Sequence, residues 1–122
     1  MLAQVMQFDG PRSPELLAAA DRASRDRLGP VMQGHPKMRE ELIAFLVLRQ
    51  EDGTERDVLI VRSAEGLKLA RDLVTSSELL PGEDPALLPG PDRMDVFEVV
   101  EVVGSLSDFQ GRAFDGAEGV RS

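Results

Sequence analysis

Two side chains in this sequence of 122 residues could do acid–base or anion-binding chemistry. His35 is the only histidine, and because an imidazole titrates near neutral pH it could carry a proton during a reaction. Arg62 follows an apolar run, where its guanidinium could hold a phenolate or a carboxylate. The sequence therefore gives His35 and Arg62 as candidate catalytic residues. The alternative is that His35 lies in an exposed loop and that Arg62 forms an ordinary salt bridge.

A second group of side chains could line a pocket for an apolar ligand. Gln4 and Gln7 point to opposite faces of a predicted first strand, so one of the two amides faces whatever the sheet covers. A ligand carbonyl or hydroxyl could be the partner of that amide, and so could a neighbouring side chain or the backbone. Apolar side chains on the strands would complete the pocket unless they belong to the core. The candidate substrate-binding residues are Gln4, Met6, Phe8, Phe45 and Phe97.

Composition argues against several classes of function. The formal net charge of -8 disfavours nucleic acid and anionic membranes as partners. The chain has no cysteine, and its single histidine has no carboxylates at ligand spacing, so we expect no metal site. The sequence has no phosphate-binding loop or nucleophile motif, and we expect no cofactor. We expect a cytoplasmic protein, because no apolar run is long enough for a membrane span and the N-terminus has no basic segment.

The first third of the chain predicts a strand followed by a helix. Residues 1–8 form an apolar run of strand length that ends at an Asp-Gly-Pro turn signal. Ser13 and Pro14 are typical of a helix start, because a serine can cap the first turn and a proline suits the first helical position. The amphipathic pattern that follows predicts a helix that ends near Gly29 and Pro30.

The middle of the chain predicts a β-hairpin. Two apolar runs are separated by Asp52 and Gly53, the residue pair that favours a two-residue turn. With this turn, Val47 lies opposite Val58. The same register places three arginines on one face of the hairpin: Arg49, Arg56 and Arg62.

The second half of the chain completes an alternation of strands and helices. Ser63 caps the second helix, residues 78–92 form a Pro-rich loop, and residues 94–103 form a last strand rich in Val and Phe. This order predicts an α+β protein with a ferredoxin-like βαββαβ domain and an antiparallel sheet over residues 1–103. Residues 104–122 have no regular pattern and predict a C-terminal tail that is flexible or docked on a partner.

Both faces of the predicted sheet carry apolar residues, which bears on assembly. Helices on one side of the sheet leave its other side uncovered, and a monomer would expose a larger apolar patch than soluble monomers tolerate. A second copy packed sheet against sheet would bury that patch. We therefore expect a homodimer.

This arrangement resembles the antibiotic biosynthesis monooxygenase superfamily, whose members are dimeric α/β-barrel proteins. The resemblance covers about residues 1–103. It rests on the opening strand MLAQVMQF, the hairpin LIAFLVLRQEDGTERDVLIVRS, the helix AEGLKLARDLV and the closing strand DVFEVVEVV. It implies a pocket between the sheet of each protomer and its helices or loops.

The resemblance also implies a function, namely that of a cofactor-independent monooxygenase-like enzyme acting on an aromatic polyketide or quinone-type small molecule. In such an enzyme Arg62 would hold the substrate anion, His35 would take its proton, and the anion would pass electrons to oxygen. Two alternatives stay open. One is a non-oxidative polyketide cyclase or isomerase that uses the same pocket, and the other is a non-catalytic dimeric protein that binds a small molecule.

Overall fold

Four strands form one antiparallel sheet in the computed structural model of the protein, which describes residues 1–105. The strands are β1 (Leu2–Phe8), β2 (Leu42–Arg49), β3 (Glu55–Val61) and β4 (Arg93–Glu98). Their order across the sheet is β2-β3-β1-β4, so β1 and β3 lie in the middle. The fold is α+β, and this strand order is compatible with the predicted ferredoxin-like topology.

The helices connect the strands in two groups. Between β1 and β2 lie α1 (Pro14–Arg22), a π-helical segment (Ala23–Leu28), α2 (Gly29–Gln33) and α3 (Pro36–Glu41). Between β3 and β4 lie α4 (Ala64–Ser76) and a 3-10 turn (Pro85–Leu87), which falls in the predicted Pro-rich loop. No helix within residues 1–105 is long and apolar enough to cross a membrane.

The first helix begins where the sequence predicts and continues further. Ser13 Oγ accepts a hydrogen bond from the Leu16 backbone N–H at 3.2 Å, which confirms the predicted cap. The predicted end near Gly29 and Pro30 is wrong. Gly29 donates to the carbonyl of Ser24, five residues earlier, so a π turn carries the helix into α2. Pro30 then lies in the first turn of α2, where its missing N–H is tolerated.

The hairpin turn contains three residues rather than the predicted two. Gln50 N–H donates to the Thr54 carbonyl at 2.8 Å, and Gly53 N–H donates to the Gln50 carbonyl at 3.0 Å. Gly53 has a φ of +94°, a left-handed conformation that favours glycine. Such a turn adds a glycine bulge to the hairpin. The Asp-Gly pair therefore predicts the turn correctly but not its length.

The longer turn moves the strand register by one residue. Arg49 pairs with Glu55, and Val47 pairs with Asp57 instead of the predicted Val58. Because side chains alternate between the two faces of a strand, this shift exchanges the faces of β2 relative to β3. Arg49 therefore lies on the face of Glu55 and Asp57.

The prediction that three arginines share one face of the hairpin is wrong for the same reason. Arg49 and Glu55 are paired across β2 and β3, whereas Arg56 points to the opposite face. Arg62 follows the end of β3, where its Nε donates to the Glu40 carbonyl at 2.8 Å. The three guanidinium groups thus have separate surroundings.

The second helix begins after Ser63, as predicted, but Ser63 acts differently. Its hydroxyl makes no capping hydrogen bond to α4 and instead bonds to both carboxylate oxygens of the buried Glu41, at 3.0 and 2.9 Å. Glu41 also accepts the Ser63 backbone N–H at 3.0 Å. The carboxylate of Glu41 therefore satisfies the start of α4 and joins it to α3.

The last strand is shorter than predicted. β4 ends at Glu98 instead of extending to Val103, and Val100 and Val103 are 89% and 88% exposed. One further hydrogen bond joins the Val99 N–H to the Met1 carbonyl at 3.0 Å. The strand stops because its partner β1 starts at Leu2. Most of the predicted tail, residues 106–122, lies outside the described residues.

The sheet has two unlike faces. The core lies where α3 and α4 pack on one end of one face, with Met38, Leu59, Val61 and Ala70 buried together. We call this face the helix-side face. By register it also carries Leu2, Gln4, Met6, Phe8, Phe45, Val47, Arg49, Glu55, Asp57, Met94 and Val96. The opposite or open face carries Ala3, Val5, Gln7, Ala44, Leu46, Leu48, Arg56, Val58, Ile60, Arg93, Asp95 and Phe97.

Candidate functional site

The structure brings together four of the five predicted substrate-binding residues. Gln4, Met6 and Phe8 alternate along β1 on the helix-side face, and Phe45 lies on the same face of β2. Phe97 is paired with Ala3 on the open face and is 54% exposed. The helix-side group thus forms an apolar surface with one amide, from which Phe97 is separated by the thickness of the sheet.

The two predicted catalytic residues lie at opposite ends of α3. His35 is the N-cap of α3, and its Nδ1 accepts the Met38 backbone N–H at 3.3 Å. Arg62 is exposed and donates to the carbonyl of Glu40, near the C-terminal end of α3. These hydrogen bonds tie both side chains to the backbone of α3. Their catalytic roles stay predictions.

A pair of carboxyl groups lies next to the predicted pocket residues. Glu55 and Asp57 are two apart on β3 and therefore share the helix-side face. Glu55 is 4% exposed and Asp57 is half-buried. Since β3 is a central strand, Asp57 has apolar neighbours on both sides: Val47 opposite it on β2 and Met6 opposite it on β1.

Two arginines neutralise Glu55. Arg12 Nη2 and Arg49 Nε donate to the same carboxylate oxygen, Glu55 Oε1, at 2.8 and 2.7 Å. Arg49 also makes a two-point contact with Asp21 of α1, at 2.7 and 3.3 Å. Arg49 therefore joins β2, β3 and α1 in one ionic network.

Arg12 fixes the other side of this network. It lies between β1 and α1, and its Nε donates to the Gly53 carbonyl in the hairpin turn at 2.7 Å. Its guanidinium carbon lies 5.1 Å from the centre of the Phe8 ring, within range of a cation–π contact. The hairpin turn is thereby held against the start of α1, next to Glu55.

The surroundings of Asp57 favour its protonated form. Burial raises the pKa of Asp57 to about 8, and the hydrogen bond and negative charge of Glu55 act in the same direction, against Arg12 and Arg49. For Glu55, burial alone would raise the pKa, but hydrogen bonds from Asp57 and Arg49 and the charges of Arg49 and Arg12 lower it overall. Within the pair, Asp57 therefore carries the proton and Glu55 the charge.

One carboxyl oxygen of Asp57 has no hydrogen-bond partner among the described residues. This atom is Asp57 Oδ1, which is buried. Buried polar atoms are nearly always paired, so the unpaired carboxyl oxygen singles out Asp57 among the half-buried residues of the helix-side face. A carboxyl group that titrates near neutral pH can also give and take protons there.

The outer strands leave a way to reach this surface. Met94 and Val96, on the edge strand β4, are 52% and 54% exposed on the helix-side face. Gln4 Nε2 lies 2.8 Å from the sulfur of Met94, so the amide is held towards the β4 edge. A separate surface depression of about 300 Å³ lies at the hairpin end of the sheet, and it is lined by Leu48, Arg49, Gln50, Thr54, Glu55 and Arg56 rather than by the predicted substrate-binding residues.

The sequence contains one local signal for this site. The Glu-x-Asp spacing of Glu55 and Asp57 places two carboxyl groups on one face of any strand. Their unequal protonation depends on Arg12 and Arg49, which lie 43 residues before and 6 residues before Glu55 in the chain. Neither contact follows from local spacing.

Comparison with known proteins gives no further guide to the chemistry. No family model matches the chain, and no curated protein is significantly similar to it. Residues 1–105 contain no group of three or more His, Cys, Asp or Glu side chains that could hold a metal ion. The assignment of a function therefore depends on the geometry around Asp57.

Proposed function

We propose that the protein is an enzyme for a small aromatic molecule of the polyketide or quinone type, and that it acts as a monooxygenase without a bound cofactor. The observation that carries this proposal is the carboxyl group of Asp57. It keeps a proton at neutral pH, has an unpaired oxygen, and lies beside an apolar surface made by Met6, Val47 and Phe45.

The chemistry needs one proton carrier and oxygen. In its ionised form Asp57 removes a proton from an acidic carbon or hydroxyl of the substrate, and a pKa near 8 suits this task at neutral pH. The substrate anion then gives electrons to dioxygen. One oxygen atom enters a new carbonyl group of the product and the other leaves as water, so the substrate supplies all the electrons.

The helix-side face supplies binding rather than reaction. The apolar side chains of Met6 and Phe45 favour a flat aromatic molecule and exclude water, which strengthens hydrogen bonds at Asp57. The amide of Gln4 can donate to or accept from an oxygen of the ligand. Oxidation and non-oxidative enolisation both begin with the same proton transfer, so a cyclase or isomerase is the second candidate.

We propose a homodimer as the assembled form, with the two open faces packed together as in a dimeric α/β barrel. Leu48 and Phe97 are each 54% exposed on that face, and Leu46, Val58 and Val5 between them are half-buried. Packing of this apolar surface against a second copy removes it from water.

Oxygen uptake with a panel of anthrones and hydroquinones tests the enzyme proposal. We expect uptake above the buffer rate for the wild type and a loss of about 100-fold or more in Asp57→Asn, because the amide cannot carry the proton. Asp72→Asn, the same change at an exposed position of α4, is the matched control and should keep the activity. His35→Ala and Arg62→Ala test the roles predicted from the sequence.

Other outcomes identify the alternatives. Turnover that persists without oxygen assigns the protein as a cyclase or isomerase. Stabilisation by an aromatic ligand with no turnover under either condition assigns a binding protein. Full activity of Asp57→Asn would remove Asp57 from the mechanism.

A further inference from the structure

Glu55 is a buried carboxylate with two cationic partners. Two guanidinium groups from distant parts of the chain, Arg12 and Arg49, donate to its Oε1 at 2.8 and 2.7 Å. The side chain of Glu55 is 5% exposed and that of Arg12 is 10% exposed, so this contact lies largely away from water. A buried carboxylate with two such partners stays ionised.

The ionised state of Glu55 determines where the shared proton lies. Glu55 and Asp57 are two apart on β3, so their carboxyl groups lie on the same face of the sheet, and two carboxyl groups that meet there can share a hydrogen bond only if one of them is protonated. Since two guanidinium groups hold Glu55 as the anion, a proton shared by the pair belongs to Asp57.

We propose that Glu55 is a positioning residue, which keeps the neighbouring carboxyl group of Asp57 protonated and orients it towards a molecule bound on the helix-side face. Glu55 does not touch that molecule itself. This inference rests on the proposed function only in taking Asp57 as the proton carrier. The coupling between the two carboxyl groups exists without substrate.

The charged groups around Glu55 come from three other parts of the chain. Arg12 comes from the segment between β1 and α1, Arg49 from β2, and Asp21 from α1, where it binds the outer side of Arg49. Asp57 is paired with Met6 on β1, and Met6 is paired with Met94 on β4, so the neighbours across these strands carry no charge. Glu55 is thus the acid that faces Asp57 directly.

Carboxyl carbon NMR of the full chain, titrated with pH and without substrate, tests this role. In Glu55→Gln we expect the titration midpoint of Asp57 to fall by about one pH unit or more, because the negative neighbour is lost and both arginines then act on Asp57 alone. Glu51→Gln makes the same change at an exposed position of the hairpin turn and should leave the midpoint where it is.

A second variant covers the case in which Glu55→Gln fails to fold. Arg49→Gln removes one of the two cations, so the midpoint of Glu55 should rise and that of Asp57 should not fall. A purely structural role for Glu55 would move neither midpoint in this way. An unchanged Asp57 midpoint in Glu55→Gln, or a wild-type Asp57 that titrates like an ordinary aspartate, would overturn the inference.

Turnover and coupling are separate results of these experiments. A protein that shows the coupled titration but oxidises no anthrone would refute the proposed function and leave the role of Glu55 intact. Activity that depends on Asp57 but not on Glu55 would support the proposed function and refute the role of Glu55.

Discussion

Asp57 is costly to ionise where it lies, and this makes the stability of the protein depend on pH. In the unfolded chain an aspartate loses its proton near pH 4, whereas burial and the charge of Glu55 keep the proton on Asp57 up to a pKa of about 8 in the folded state. Between these two values the folded state binds more protons than the unfolded state. The free energy of unfolding therefore falls as the pH rises through this range.

Asp57→Asn should remove this pH dependence. Asparagine keeps the shape of the protonated acid and can still donate to Glu55, but it has no proton to lose. Allowing for partial screening by solvent, we expect the variant to avoid roughly 1–2 kcal/mol of the decline in unfolding free energy between pH 5 and pH 9. Urea denaturation at several pH values measures the slope.

Two comparisons make that measurement specific. Asp72→Asn lies on the exposed side of α4, in an ion pair with Lys68 at 2.9 Å, and should keep the wild-type slope. Below pH 4 the wild type and Asp57→Asn should lose stability together. The lowered pKa of Glu55 in the folded state gives stability that is lost as this carboxylate is protonated. Equal slopes for the wild type and Asp57→Asn above pH 5 would contradict the assignment.

At the scale of elements, the hairpin turn positions the site. Gly53 has a left-handed backbone, and a Cβ atom there would lie 3.0–3.1 Å from atoms of Arg12. The same turn accepts the Arg12 side chain at the Gly53 carbonyl and the Arg12 backbone N–H at the Asp52 carbonyl, at 2.7 and 2.9 Å. The conformation of one glycine thus brings the turn, the start of α1 and Glu55 together.

Gly53→Ala should be markedly destabilising. A side chain at this φ is strained and also presses on Arg12, so we expect a loss of about 1–3 kcal/mol in the free energy of unfolding. Gly90→Ala is the matched control, because a Cβ there meets nothing within 4 Å. Chemical denaturation of both variants makes the comparison, and equal stability would show that the turn tolerates a side chain.

The sequence predicts elements better than it predicts their ends and faces. The start of α1 at Ser13 follows from a local hydrogen bond, and local spacing is enough to find it. The continuation of that helix past Pro30 depends on a π turn, which no residue pattern indicates. The face of Arg49 depends on whether the hairpin loop has two residues or three, and an Asp-Gly pair occurs in both.

The candidate site is harder to predict than the elements, because the protonation of its carboxyl groups depends on contacts between distant parts of the chain. Gln4, Met6, Phe8 and Phe45 share a face as a consequence of strand alternation and pairing. The protonation of Asp57 needs burial by other elements together with a neighbour whose charge is fixed by Arg12 and Arg49. Such a difference between two similar acids cannot be seen from residue types alone.

At the scale of the whole molecule, the open face is the feature that most needs a partner. Ala3 and Ile60 at its centre are 8% exposed, yet the apolar residues around them reach half exposure at both edges of the sheet. The charged residues of this face, Arg56, Arg93 and Asp95, lie towards the hairpin end. An apolar centre with charges at one side is typical of a surface that packs on a second copy.

Leu46→Glu should convert the proposed dimer into a monomer. Leu46 lies beside Val58 on the open face, and a carboxylate there would have to be buried without a partner. Sedimentation at low micromolar concentration should give twice the 13.3 kDa of one chain for the wild type and a single chain for the variant.

Leu79→Glu, the same change at an exposed position in the loop after α4, is the control and should remain dimeric. A wild-type protein that sediments as one chain would exclude the sheet-to-sheet dimer and with it the proposed barrel.

The three-residue turn has a consequence for any change in chain length at the hairpin. β2 carries apolar side chains on both faces, so a shift of its register against β3 by one residue would exchange one apolar face for the other with little loss of burial. What would be lost is the meeting of Arg49 with Glu55. The ionic contact between Arg49 and Glu55 therefore distinguishes two alignments of β2 and β3 that bury similar apolar area. An insertion or deletion in the turn would break this contact and so change the protonation of Asp57 without altering Asp57 itself.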